Sequence, residues 1–163
     1  MIFVAVGTQK FQFDRLLKAV DGLVERNVIQ EPVIAQTGNS DYQPKNYAFE
    51  KFFHQEAFEK KVRDCDVLIT HSGVATIIAG LKQGKKVIVV PRLKKYAEHV
   101  DDHQVQIAQS FSEQNLVLMC GEADDLGQLI EKAKQHSFSG YVSQRALMLQ
   151  TIRDFLNGAE KEM

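Results

Sequence analysis

A chain of 163 residues, 44% hydrophobic and 25% charged, has the composition of one folded domain that buries its own core without staples. Its formal net charge of -1 lacks the basic excess of a domain built around nucleic-acid phosphates, so no nucleic-acid partner is expected. The two cysteines, Cys65 and Cys120, are too few for a secreted disulfide scaffold and read as buried free thiols in a reducing compartment.

Ile2-Phe3-Val4-Ala5-Val6 is a continuous apolar run, the pattern of a strand buried on both faces, and it ends in Gly7-Thr8-Gln9. Phe13, Leu16, Leu17, Val20, Leu23 and Val24 then fall on one helical face. Val33-Ile34-Ala35 reads as a strand that exits into Gln36, Thr37, Gly38, Asn39 and Ser40. Tyr42 to Asn46, with Pro44, is a loop; Tyr47 to Phe53 is aromatic-rich and extended, and Ala57 to Val62 is a short helix. Val67-Leu68-Ile69 is a buried strand that breaks at Thr70-His71-Ser72-Gly73 into a helix over Val74 to Lys82, closed by Gly84. Val87-Ile88-Val89-Val90 is the next strand and stops at Pro91. Val105, Ala108 and Phe111 line a helix, and Leu116 to Met119 is a short strand. Asp124 is expected to cap a helix bearing Leu126, Leu129, Ile130 and Ala133, which Ser139-Gly140 breaks. A last amphipathic helix carries Val142, Ala146, Leu149, Ile152 and Leu156; it reads as an ordinary packed terminal helix, or, because Met148 and Phe155 widen its apolar face, as a surface shared with a partner. Alternating strands and helices without repeat or linker predict one α/β domain over residues 1–163, a doubly wound and mostly parallel sheet. No apolar run approaches the ~20 residues that span a bilayer, and residues 1–6 lack a signal peptide's basic start. The expected place is the cytoplasm, with any membrane role reached through a partner.

Each of these strands delivers small or polar residues to one sheet edge, where ligands of open α/β folds sit. The turn His71-Ser72-Gly73 with Thr76 opens a helix directly, so unpaired amides, a glycine and hydroxyls meet there. It reads either as a strand exit or as a phosphate cradle, and it is neither a Walker loop nor a GxGxxG turn. Arg92, Lys94 and Lys95 read as a solvated basic patch, or as cations that steer a diphosphate or anionic headgroups. His99 and His103, with Glu98 and Asp102 beside them, have helical metal-pair spacing but no third ligand at a telling distance, so no metal is expected. No GxSxG elbow supports a Ser-His hydrolase, and His136 reads as a surface residue.

HSGVATIIAGLKQGKKVIVVPR followed by EHVDDHQ, with the opening VAVGTQKFQFDRLL and the AQTGNSDYQP turn, resembles the glycosyltransferase family 28 C-terminal domain. That domain is the donor-binding half of GT-B enzymes, and the likeness covers nearly the whole chain. It is similar above all to the small subunits of two-component transferases, in dolichol-linked GlcNAc transfer and in bacterial capsule and exopolysaccharide synthesis. The resemblance implies a single Rossmann-like half of a GT-B fold. It implies a UDP-sugar as substrate, no cofactor, a lipid-linked saccharide acceptor and a membrane-associated, acceptor-binding partner subunit. Carried onto this chain, Ser72, Gly73 and Thr76 hold the diphosphate, while Val90-Pro91-Arg92 lies near uracil and ribose. Gln104, with Asp102 and His103, binds sugar hydroxyls; Glu98 joins the donor set, and Gly7 and Thr8 line the cleft facing the acceptor. His99 and His71 are the candidates to assist catalysis. One departure stands out, Ala79 where many relatives carry a ribose-binding Glu. It leaves open a non-catalytic nucleotide-binding module as the alternative.

Overall fold

Ile2-Phe3-Val4-Ala5 has no polar side chain to turn towards water, and in the computed structural model it becomes a central strand, covered on both sides. The structure describes residues 1–141 and 152–157. Strands β1 (Ile2–Ala5), β2 (Val33–Gln36), β3 (Ala48–Glu50), β4 (Val67–Thr70), β5 (Lys86–Val89) and β6 (Leu118–Met119) form one six-stranded sheet ordered β3-β2-β1-β4-β5-β6. Every pairing is parallel, with Ile2 opposite Val33 on one side and Val67 on the other. The helices are α1 (Asp14–Glu25), α2 (Gln55–Asp64), α3 (Val74–Lys82), α4 (His103–Glu113) and α5 (Leu126–Gln135), with a 3-10 turn over Lys94–Tyr96. Residues 152–157 are also helical.

Side chains alternate between the sheet's faces, so each strand feeds two cores. Ile2, Val4, Val6, Ile69 and Ile88 pack with Leu16, Leu17 and Val20 of α1 and Ile130 of α5. Phe3, Ala5, Leu68, Val87 and Val89 pack on the opposite face with Val62, Ile77, Leu81 and Phe111. The fold is therefore the doubly wound α/β sheet that the apolar runs predict. Chain order grows outward from β1 to β3, then returns to β4 and grows the other way. The reversal lies between β1 and β4.

Boundaries follow the sequence reading closely, with some differences. Gly84 closes α3 in the left-handed region at φ +66. Asp125, rather than Asp124, caps α5, its carboxylate accepting from Gln128 N–H at 3.2 Å; Asp124 instead accepts from Gly121 N–H at 2.7 Å. His136 is not a free surface residue: its Nε2 lies 2.6 Å from Asn115 Oδ1, and its ring meets Phe138 edge-on. Cys65 and Cys120 are buried and free, and burial pushes both thiols up to about 11. In the terminal helix, Val142, Ala146, Met148 and Leu149 lie outside the described residues. Phe155 packs edge-on against His103 at 5.8 Å, and Leu156 is exposed. No helix among the described residues is long and apolar enough to cross a membrane.

Candidate functional site

In a parallel sheet the carboxyl ends of all strands, and the amino ends of the helices that follow them, share one edge. At the reversal between β1 and β4 that edge opens into a groove of about 450 Å³. Gly7, Thr8 and Gln9 line it from the β1 exit, and His71, Gly73, Val74, Ala75 and Thr76 from the β4 exit. Phe53, Gln55 and Phe58, at the start of α2, close the far side together with Gln36. The first intrahelical bond of α3 runs from Ile77 N–H to the Gly73 carbonyl at 3.0 Å. The amides of residues 74–76 precede it, so they meet the groove at the positive end of the helix. Gly73 sits at the cap position without a side chain, and Ser72 Oγ is buried with no hydrogen-bond partner. A buried hydroxyl without a partner is uncommon in folded chains.

The groove floor is the His71 ring, 4% exposed and wedged between two glycines. A Cβ built on Gly7 would lie 2.4 Å from His71 Nε2, and one built on Gly73 would lie 2.5 Å from it. Both glycines are thus required by close approach, and Gly7 also takes a positive φ of 84. Burial, reinforced by Arg92 and His99, pulls the imidazole down to about 3, so His71 is neutral at physiological pH.

The loop after β5 departs from expectation. Arg92 is not a solvated cation: it is fully buried and stacks over Phe13 at 4.9 Å. Its Nη1 donates to the carbonyls of Phe11, Gln12 and Glu98 at 3.1 Å each, and its Nη2 to the Val6 carbonyl. Burial pulls this guanidinium down to about 10 against the attraction of Glu98, and it stays charged at neutral pH. Glu98 is also fully buried; its carboxylate takes Arg15 Nε and Nη2 at 3.0 Å each and Leu93 N–H at 2.9 Å. These groups tie the β1 and β5 exit loops together, so neither side chain is available to a donor. Pro91 is buried, and its carbonyl accepts from Arg15 Nη2 at 3.2 Å.

Gln104, expected on sugar hydroxyls, is 4% exposed. Its Oε1 accepts from Ser72 N–H at 3.2 Å and Arg92 N–H at 3.0 Å, and its Nε2 lies 3.3 Å from His71 Nδ1. Asp102 Oδ1 accepts from Lys94 N–H at 2.9 Å. His99 stands in the loop before α4, not on a helix, so the helical metal pair dissolves; it and His103 both face Asp101, at 3.1 and 3.4 Å. Among the described residues no three His, Cys, Asp or Glu side chains converge to hold a metal ion. A Ser-His nucleophile is not assembled either, because Ser72 Oγ has no partner and His71 Nδ1 is engaged by Gln104. Ala79 lies outside the groove, on the seam between α2 and α3.

Of the residues singled out from the sequence, Gly7, Thr8, His71, Gly73 and Thr76 line the groove and Ser72 does not; Phe53, Gln55 and Phe58 line it without having been singled out. Their signal was present: a Phe-rich segment running straight into a helix start delivers those residues to the same edge. Phe3 holds both rings edge-on, at 6.0 Å to Phe53 and 5.3 Å to Phe58. Gln36 Oε1 accepts from Phe53 N–H at 2.8 Å.

Among solved structures, the NMR structure of ALG13 superposes with a TM-score of 0.60 at 18% identity, covering 93% of this chain and 96% of that one. The glycotransferase of kitacinnamycin gives 0.55 at 16% identity, covering 94% of this chain and 39% of that one. Acinetobacter baumannii MurG gives 0.50 at 16% identity, with 90% of this chain and 49% of that one. This chain therefore spans under half the length of the latter two, and at these identities the likeness concerns the fold. No curated protein sequence matches. Residues 1–157 match the glycosyltransferase family 28 C-terminal domain, and the chain belongs to that family.

Proposed function

We propose that the groove between β1 and β4 binds a UDP-sugar and that the chain is the donor-binding half of a two-component glycosyltransferase. The observation that carries this reading is that Gly73, Val74, Ala75 and Thr76, the residues that open α3, line the groove at the positive end of that helix. An anion there meets the amides that open α3, the Thr76 side chain and a positive helix end together. Phe53 and Phe58, which line the same groove, offer apolar surface for a base. The same donors that hold the diphosphate in the ground state favour it more as it departs with full charge, so leaving-group stabilisation needs no metal ion. His71 contributes an uncharged ring to that floor. His99 and Asp102 lie in the loop before α4 and His103 is the first residue of that helix, the segment this reading assigns to sugar and acceptor.

On this reading a hexosyl unit (galactose, glucuronic acid or GlcNAc) passes to a lipid-linked saccharide in capsule or exopolysaccharide synthesis. A membrane-associated partner subunit holds the acceptor at the cytoplasmic face and recruits this chain. The alternative is a nucleotide-binding module that no longer transfers sugar; Ala79, the residue that suggested it, faces the seam between α2 and α3 rather than the groove. UDP titration of the parent and of Gly73→Asp tests the site. The variant puts a carboxylate at the anion position and a Cβ against His71, and is expected to lose UDP binding by at least about a hundredfold. Equal affinity in both proteins, with folding unchanged by circular dichroism, would refute the groove as the donor site. Binding without transfer in the presence of the partner would favour the module.

A further inference from the structure

Gln104 lies at the centre of the site without facing solvent, and its three contacts decide a proton position. Its Oε1 receives two backbone N–H groups, from Ser72 and Arg92. That fixes the orientation of the side-chain amide, because the NH2 end accepts nothing. The NH2 group then faces His71 Nδ1 at 3.3 Å and donates to it. A ring nitrogen that accepts carries no proton, so in a neutral imidazole the proton resides on Nε2. Nε2 is the atom that sits between Gly7 and Gly73, on the groove floor.

We propose that Gln104 is a positioning residue that locks His71 in the Nε2-protonated tautomer, so that the groove floor presents an N–H donor to the bound anion. The lock follows from this chain's own geometry, whereas its use in anion binding rests on the donor-site reading above. Gln104 reaches in from α4, Arg92 and His99 are the charged or titratable groups that act on the ring, and both come from the loop after β5. Arg92 opposes a second proton, which keeps the ring a neutral donor. A free imidazole exchanges tautomers and titrates close to neutrality; this one does neither. The glutamine also joins the exits of β4 and β5, so one side chain sets both the backbone spacing and the hydrogen-bond polarity of the floor.

The test is ¹⁵N NMR of the imidazole nitrogens in the intact chain, followed from about pH 5 to about pH 8. The expected spectrum shows a protonated Nε2 and an unprotonated Nδ1 that do not change across this range. A protonated Nδ1, or a ring that titrates within it, would overturn the lock. Gln104→Glu supplies the second arm. Its carboxylate retains the shape and still accepts from Ser72 and Arg92, but its other oxygen faces Nδ1 as an acceptor. The proton is expected to move to Nδ1, leaving Nε2 as an acceptor towards the groove. UDP affinity should then fall by about tenfold or more, with the thermal midpoint close to the parent's. A neutral ring that keeps its proton on Nε2 opposite the variant's ionised carboxylate overturns the lock, and an inverted tautomer with undiminished affinity overturns its role in binding. A parent with the locked tautomer but no UDP affinity, alone or with the partner, would refute the donor-site reading and leave the lock standing.

Discussion

His71 shows how burial converts a titratable residue into a fixed dipole, and it makes stability depend on pH. In the folded chain its imidazole takes a proton only near pH 3, against an ordinary value of 6.5. Between those values the unfolded chain binds more protons than the folded one. The group's contribution is therefore fully present above about pH 6.5 and is lost as pH falls, at up to about 1.4 kcal/mol per pH unit. Urea unfolding at a series of pH values is expected to show the decline beginning below pH 6.5, where carboxylates still hold their charge. Unchanged stability from pH 6.5 down to about pH 4.5 would contradict a buried neutral His71. The same residue scale explains why Arg92, Glu98 and Gln104 were misplaced in the sequence reading. A guanidinium, a carboxylate and an amide look alike in sequence whether they face a ligand or a neighbouring loop's backbone. The carbonyls of Val6, Phe11 and Gln12 that claim Arg92 are some eighty residues away.

At the scale of elements, the connection from β2 to β3 crosses between parallel strands without a helix, and two carboxylates of α1 hold it. Asp14 Oδ1 accepts from Asp41 and Tyr42 N–H at 2.9 Å each. Asp21 is buried and accepts from Tyr42 Oη at 2.6 Å, Lys45 N–H at 2.8 Å, and Asn46 N–H and Nδ2 at 2.9 Å each. Burial alone pushes its carboxyl up, but the bonds from Tyr42, Lys45 and Asn46 outweigh that and leave it below its ordinary value. Asp21→Ala leaves those donors unpaired and is expected to cost about 3 kcal/mol in urea unfolding, while Tyr42→Phe, which removes one bond, costs about 1 kcal/mol. A loss under about 0.5 kcal/mol for Asp21→Ala would show that the latch contributes little. The latch bears on function, because Asn39 in the same connection donates to the Gln9 carbonyl at 2.8 Å and so braces the β1 exit against the groove.

At the scale of the whole molecule, the groove proposed for the donor is lined, among the described residues, by the exits of β1, β2 and β4 and the starts of α2 and α3. Sugar transfer needs a second surface that holds the acceptor within reach of the donor, since positioning supplies a large share of the rate. The chain covers 49% of MurG and 39% of the kitacinnamycin glycotransferase, yet 96% of ALG13. On the proposed function, transfer to membrane lipid is expected only when this chain is co-expressed with its acceptor-binding partner, and from neither subunit alone. Radiolabelled sugar incorporation by each subunit and by the pair measures it. Robust transfer by this chain alone would overturn the two-component reading.

The sequence by itself determined the layers, because continuous apolar runs such as Ile2 to Ala5 and Val67 to Ile69 are stable only as strands covered on both faces. It also determined where one turn lies: His71-Ser72-Gly73 stands between a strand and the helix it opens, so its place on the carboxyl edge of the sheet follows from local order alone. Strand order was beyond it, since pairing β1 with both β2 and β4 depends on contacts across more than thirty residues. That order sets where the edge opens, and with it the meeting of Gly7, Phe53 and His71 in one groove. Tertiary structure alone also decided which polar residues face the groove and which are consumed in building it, because a side chain's partner is a property of what folds against it.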